Sequence, residues 1–144
     1  MATRDKKYWL FKSEPDAFSW DMQVAKGAKG GIWDGVRNHL AKKNLMSMRK
    51  GDLGFFYHSN EGKEIVGIVE VVREHYPDPT AEPAEPWVAV DVKAVKAFPK
   101  PVTLAAVKAE PRLAKMSLVT SARLSVQPVM EQEWEIVCRM GRVK

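Results

Sequence analysis

The sequence predicts an α+β fold, a mostly antiparallel β sheet that closes into a small barrel and is flanked by short α-helices. Three observations carry that expectation. Residues 53–72 hold two strand patterns joined by the turn Asn60-Glu61-Gly62-Lys63, which reads as a hairpin. A further strand pattern resumes at Trp87 after a proline-rich loop. The chain as a whole runs strand, helices, hairpin, strand, short helices, strand, helix.

In order along the chain, Tyr8-Trp9-Leu10-Phe11-Lys12 is aromatic and apolar and gives the first strand. Ser13-Glu14-Pro15-Asp16 stops it, because Pro15 has no N–H for a ladder and restricts the backbone of Glu14. Ser19 or Asp16 caps a short helix from Trp20 to Lys26. Gly27-Ala28-Lys29-Gly30-Gly31 then turns the chain, with a glycine spacing that fits neither a Walker loop nor a dinucleotide fingerprint. Val36, Leu40, Leu45 and Met48 predict a helix from Gly35 to about Met48. Lys42, Lys43 and Arg49 fall toward its C-terminal half, where the helix dipole favours cations. Contact with nucleic acid is the competing use of those charges.

Leu53 to His58 is a strand, and Glu64 to Val72 is the next, apolar on both faces as a central or barrel strand should be. Gly67 in its middle marks a bulge or a close backbone approach. Tyr76 to Pro86 contains four prolines and three acids and reads as an exposed, stiffened loop. Trp87 to Ala97 is a strand with a bulge near Lys93, since Val88, Val90 and Val92 share a face that Val95 does not. Thr103 caps a short helix ending at Ala109, Pro111 to Leu118 holds another helical turn, and residues 123–129 are extended. Met130, Trp134, Val137 and Cys138 make the apolar stripe of a terminal helix, with Glu131 and Glu133 at its positive end.

A length of 144 residues, with 45% hydrophobic and 28% charged side chains, is that of one globular domain spanning 1–144. No apolar run approaches the roughly 20 residues of a membrane span. The charged N-terminus leads into a strand pattern with Lys12 and Glu14, where a signal peptide would need an uninterrupted apolar region, so a cytoplasmic location is expected. A single cysteine, Cys138, excludes an intrachain disulfide and is expected to pack rather than react. Three scattered histidines and no cysteine pair exclude a zinc site by spacing, so neither metal nor cofactor is expected. The net charge of +5, from 23 basic and 18 acidic residues, suits a polyanion without demanding one. Basic residues cluster at Arg4/Lys6/Lys7, Lys26/Lys29, Arg37/Lys42/Lys43 with Arg49/Lys50, and Arg139/Arg142/Lys144, while acids concentrate between Glu61 and Glu85.

Two stretches stand out chemically. Gly31-Ile32-Trp33-Asp34-Gly35-Val36-Arg37-Asn38 puts an indole, a carboxylate, a guanidinium and an amide beside one turn. Phe56-Tyr57-His58-Ser59-Asn60 ends an apolar strand in side chains that donate and accept hydrogen bonds. Together they suit the wall and rim of a pocket for a flat, polar ring.

Four motifs then occur in order: Tyr8-Trp9-Leu10-Phe11-Lys12-Ser13-Glu14-Pro15, Trp33-Asp34-Gly35-Val36-Arg37-Asn38, Phe56-Tyr57-His58-Ser59-Asn60 and Arg123-Leu124-Ser125-Val126-Gln127-Pro128-Val129. Across nearly the whole chain this resembles the EVE domain, a member of the PUA-like superfamily that includes the thymocyte nuclear protein 1 group. The resemblance implies a PUA-like pseudobarrel with surrounding helices. It also implies binding of DNA or RNA, with a pocket for a modified base such as a methylated or hydroxymethylated cytosine. EVE domains are similar to YTH domains, which hold a methylated adenine in an aromatic cage. On that likeness Phe11-Lys12-Ser13 and Gly31-Ile32-Trp33 fall where the YTH pattern has a Lys-Ser strand end and its first cage tryptophan, and Trp87 is the match for the second. Glu14 and Asp34 replace smaller polar residues there, which implies a ligand other than methyladenine.

An extruded base is read by stacking and a few polar contacts, and one aromatic stack is worth about 1–3 kcal/mol. Trp33, beside a glycine-rich turn, is the candidate for that stack, against a plain core role. Asp34 can accept from an exocyclic amine such as cytosine N4, against capping the helix that follows, which the sequence alone favours. Arg37 and Asn38 can hold a phosphate and a base edge or face solvent, and Ser13 can donate to the ring. Alternation lets only Tyr57 and Ser59, or only His58 and Asn60, point inward; Tyr57 and Ser59 are the choice. Arg123, Ser125 and Gln127 share one face and can complete the rim or bond loop backbone. Trp9, Trp20 and Trp134 are read as structure. The leading function is a non-catalytic reader of modified bases. The alternatives are an enzyme acting on a nucleobase or nucleotide through His58, Asp34 or Glu14, and a small-molecule or protein interaction module.

Overall fold

The computed structural model describes residues 6–143, so Arg4 and Lys144 of the basic clusters lie outside the described residues. Six strands make one mixed sheet: β1 (Tyr8–Ser13), β2 (Gly31–Trp33), β3 (Leu53–His58), β4 (Glu64–Pro77), β5 (Val88–Thr103) and β6 (Val126–Val129). Their order across the sheet is β2-β5-β4-β3-β1-β6, and the sheet curls into a half-barrel. β1 and β3 run parallel; every other neighbouring pair is antiparallel. The stretch between β1 and β3 supplies the long crossover that a parallel pair needs. Five short helices flank the sheet: α1 (Trp20–Ala25), α2 (His39–Ser47), α3 (Leu104–Ala109), α4 (Ser117–Thr120) and α5 (Glu131–Met140), with a 3-10 turn at Pro111–Leu113.

Strand alternation builds two cores. Trp9 and Phe11 of β1, Phe56 of β3, and Val90 and Val92 of β5 pack on one face with Trp20 of α1 and Ala41 and Leu45 of α2. Leu10, Phe55, Tyr57 and Phe98 point the other way, onto Val107 of α3, Leu118 of α4 and Trp134 and Val137 of α5. The Trp134 ring lies stacked on Tyr8 at 4.5 Å and on Phe55 at 3.9 Å. Trp9 donates its indole N–H to the buried Asp52 carboxylate at 3.0 Å, which also accepts from the backbone N–H groups of Lys7 and Arg49. Trp20 lies against Gly67, where a Cβ would stand 2.4 Å from the indole. The three tryptophans read as structure are therefore core residues.

Several expected boundaries move. α2 starts at His39 rather than Gly35, because Gly35 adopts φ +77° and Asn38 caps the helix, its Oδ1 accepting from the Ala41 N–H at 2.9 Å. α1 is capped by Ser19, not Asp16. β4 and β5 extend to Pro77 and Thr103, and Pro99 and Pro101 sit beyond the three β5 residues that pair with β2, where a missing N–H breaks no ladder on that side. The bulge expected near Lys93 falls at Val95, since Ala94 pairs with Val69 and Lys96 with Ile68. Gly67 shows both expected features, a shift in register and a ring pressed onto its backbone. Met130 leaves the expected stripe: it precedes α5, is 67% exposed, and donates its N–H to Glu133 Oε1 at 2.9 Å, while Ile136 takes a buried place. Cys138 is half-buried against the second core, and burial pushes its thiol up to about 11. Among the described residues no helix is long and apolar enough to cross a membrane.

Candidate functional site

β1 and β2 both end at one side of the sheet, and the chain that leaves each of them frames a cleft of about 450 Å³. Lys12, Ser13 and Glu14 form one wall, and Trp33, Asp34 and Arg37 form the opposite one. Phe18, from the turn after β1, and Ser125, just before β6, complete the lining. The wall at the end of β1 is fixed by bonds to its neighbours. Lys12 donates its N–H to the Ser125 carbonyl at 2.9 Å, and Ser59 donates to the Ser13 carbonyl at the same distance. Ser13 Oγ donates to the Phe18 carbonyl at 2.6 Å and so holds the phenyl-bearing turn against the strand.

The floor is aromatic. Trp33 is 7% exposed and meets Phe11, Phe18 and Phe56 edge-on at 5.1, 6.0 and 5.6 Å. It is thus a core residue that also borders the cleft. Phe18, half-buried and within the lining, adds a second ring. No local pattern in the sequence marks Phe18, which sits in a segment that reads as an ordinary turn.

The mouth is charged. Arg37 Nη1 donates to Asp78 Oδ2 at 3.0 Å and Arg37 Nη2 to Thr80 Oγ1 at 3.1 Å. Asp78, whose side chain is fully buried, also accepts from the Gly35 N–H at 2.8 Å and from both the N–H and hydroxyl of Thr80. Burial by itself would raise the Asp78 pKa; the bonds from Thr80, the Gly35 amide and Arg37 outweigh it and hold the carboxyl at about 2. Lys12 donates to the Ala122 carbonyl at 2.6 Å, and burial lowers its pKa. Glu14 and Asp34 are exposed, and among the described residues their side chains have no hydrogen bond or ion pair. Asp34 does not cap α2, because Asn38 does. The cleft therefore offers two free acceptors beside an aromatic floor, with Arg37 already neutralised by Asp78.

Six of the sequence-derived candidates meet here: Ser13, Glu14, Trp33, Asp34, Arg37 and Ser125. The others are placed elsewhere. On β3 it is Phe56 and His58 that share the Trp33 side, with ring centroids 5.6 Å apart, whereas Tyr57 belongs to the opposite core, so the inward choice of Tyr57 and Ser59 is reversed. His58 nonetheless stands outside the lining: its Nε2 accepts the Trp20 N–H at 3.0 Å. Burial lowers the His58 pKa, with Glu64 and Asp21 pulling the other way. Ser59 contributes a backbone bond, and Asn60 turns the hairpin at φ +70°. Trp87 packs beside the cleft, 4.9 Å from the His39 ring and 5.8 Å from the Arg37 guanidinium, without lining it. Gln127 is buried and donates to the carbonyls of Ser117, Ser121 and Leu124, so it ties down the loop before β6. Asn38 and Arg123 border an adjoining shallower pocket. Among the described residues no group of three or more His, Cys, Asp or Glu is placed to hold a metal ion.

Comparison with known proteins agrees with this frame. The EVE domain model matches residues 7–140. Thymocyte nuclear protein 1 of Mus musculus is 34% identical, over 90% of this chain and 71% of its own. A crystal structure of an Agrobacterium tumefaciens protein superposes with a TM-score of 0.93 at 58% identity, covering 95% of this chain and 94% of the other. Human THYN1, solved in complex with DNA containing 5-methylcytosine, superposes with a TM-score of 0.88 at 31% identity, over 96% of this chain and 99% of its own. At the level of fold alone, the likeness extends to a YTH domain of Zygosaccharomyces rouxii, with a TM-score of 0.57 at 17% identity. The chain belongs to the EVE domain family.

Proposed function

We propose that residues 1–144 act as one EVE domain that reads a modified base in DNA or RNA without catalysis, holding a methylated or hydroxymethylated cytosine in the cleft between the ends of β1 and β2. The observation that carries this reading is the free carboxylate of Asp34 at the mouth of a cleft floored by Trp33 and Phe18. A carboxylate accepts from the cytosine N4 amine, whereas thymine and uracil present a carbonyl at that position and are repelled. Glu14 on the facing wall adds to the same preference. The aromatic floor suits the ring and an apolar substituent at its edge. A relative solved with 5-methylcytosine DNA supports the ligand class. His58, the group best suited to proton transfer, holds the start of α1 instead of facing the cleft, which supports reading over chemistry.

The experiment is titration of Asp34→Asn and the wild type with oligonucleotides that carry 5-methylcytosine or thymine at one position, which share the 5-methyl group and differ at the edge Asp34 reads. Asp34 is exposed, so the variant folds, and its preference for 5-methylcytosine over thymine falls about tenfold, the scale of one good base-edge contact. Binding as tight and as selective as the wild type would remove Asp34 from the recognition edge. Trp33→Ala is a poorer probe, because emptying a buried indole site costs about 3–5 kcal/mol of stability.

A further inference from the structure

The shallower pocket lies against the cleft, across the chain segments at residues 36–38 and 122–125. It measures about 330 Å³ and is bordered by Asn38, Leu40 and Arg123. Leu40 is 55% exposed, a large apolar side chain in the first turn of α2. Lys43, three residues on, shares its helix face. Asn44, four residues on, fastens that face to β6 by donating to the Val126 carbonyl at 2.7 Å. The two segments that build this surface also share a charge pattern. Residues 38–43 and 121–124 contain Lys42, Lys43 and Arg123 and no aspartate or glutamate, in a chain with 18 acids. The cleft holds Glu14 and Asp34 together with Lys12 and Arg37, whereas the residues that border the surface beside it include Arg123 and no acid.

We infer that this surface docks a DNA duplex and that Leu40 enters the gap left in the base stack when the read base swings into the cleft. The inference rests on the base-reading function proposed above. A base inside a duplex shows only its edges in the grooves, so a base enclosed in the cleft has first left the stack. The vacancy exposes the faces of its neighbours, and an inserted apolar side chain restores contact with them. Leu40 is positioned for that role, next to the cleft and flanked by Lys43 and Arg123. Those cations match phosphates on either side of the vacancy, and their neutralisation releases counterions. A single strand, with no intact stack on a facing strand, gains little from the same leucine.

The test compares the full chain and its Leu40→Ala variant on a duplex and on a single strand of one sequence, each carrying one 5-methylcytosine. Leu40→Ala weakens duplex binding about tenfold and leaves single-strand binding within about twofold. Leu40→Met, which keeps an apolar wedge, retains duplex affinity. A 2-aminopurine next to the methylated cytosine brightens when the wild type binds the duplex, because its stacking neighbour has gone. Equal losses on both substrates, or loss on neither, would overturn the wedge. A wild type that binds methylated and unmethylated duplex alike marks failure of base reading itself. Methyl preference retained in Leu40→Ala together with undiminished duplex affinity marks failure of the wedge alone.

Discussion

Asp78 shows how a single residue sets the geometry of the cleft. Its buried carboxylate gathers the Gly35 amide, the Arg37 guanidinium and Thr80, and so pins the connection on which Asp34 stands. Nothing in the sequence singles it out, because Pro77-Asp78-Pro79 lies in an acidic, proline-rich loop of the kind that faces water. Burial became visible only once β4 and β5 brought the loop ends together, with the Asp78 N–H donating to the Trp87 carbonyl at 3.0 Å. The pKa of about 2 fixes the sign of its pH dependence. The folded value lies below the unfolded one, so the stabilisation is complete above about pH 5 and is lost as pH falls toward 2. Urea denaturation of the wild type and Asp78→Asn checks this: between pH 5 and pH 2 the wild type loses roughly 2 kcal/mol more than the variant. Parallel acid losses in the two chains would show that Asp78 does not carry the linkage.

Strands and helices account for what was legible beforehand and what was not. The hairpin of β3 and β4, the Thr103 and Ser19 caps and the terminal helix follow from patterns local to a few residues, and the structure has them. The face of β3 did not follow, because Phe55, Phe56 and Tyr57 are all apolar enough to be buried and the sheet is covered on both sides. With two buried faces the alternation loses its polar marker. Six of fourteen candidate residues meet in the cleft because they flank strand ends that converge there; Gln127 and His58 were drawn off by backbone groups whose positions no local pattern reveals. Gly67 was legible as a contact, though its partner was not. Gly67→Ala places a methyl 2.4 Å from the Trp20 ring, which is held in a packed core. The expected destabilisation is about 1–3 kcal/mol, read from the midpoint of thermal or urea unfolding. An unchanged midpoint would mean that α1 shifts freely on the sheet.

For the molecule as a whole, the position of β1 has a consequence for time rather than shape. Tyr8 pairs with Leu53 on one side and Val129 on the other, so the strand is flanked by partners from distant parts of the chain. The cleft draws on the same closures, since Ser13, Trp33 and Ser125 all line it. Long-range pairings form slowly, because chain closure precedes the contacts that reward it. In stopped-flow refolding, far-UV ellipticity should therefore recover before the ability to bind a methylated oligonucleotide; simultaneous recovery would place β1 and β6 early. During synthesis the same order makes closure of the cleft a late event. A nascent chain cannot complete the cleft until residues from Ser125 onward have left the ribosome and joined β1.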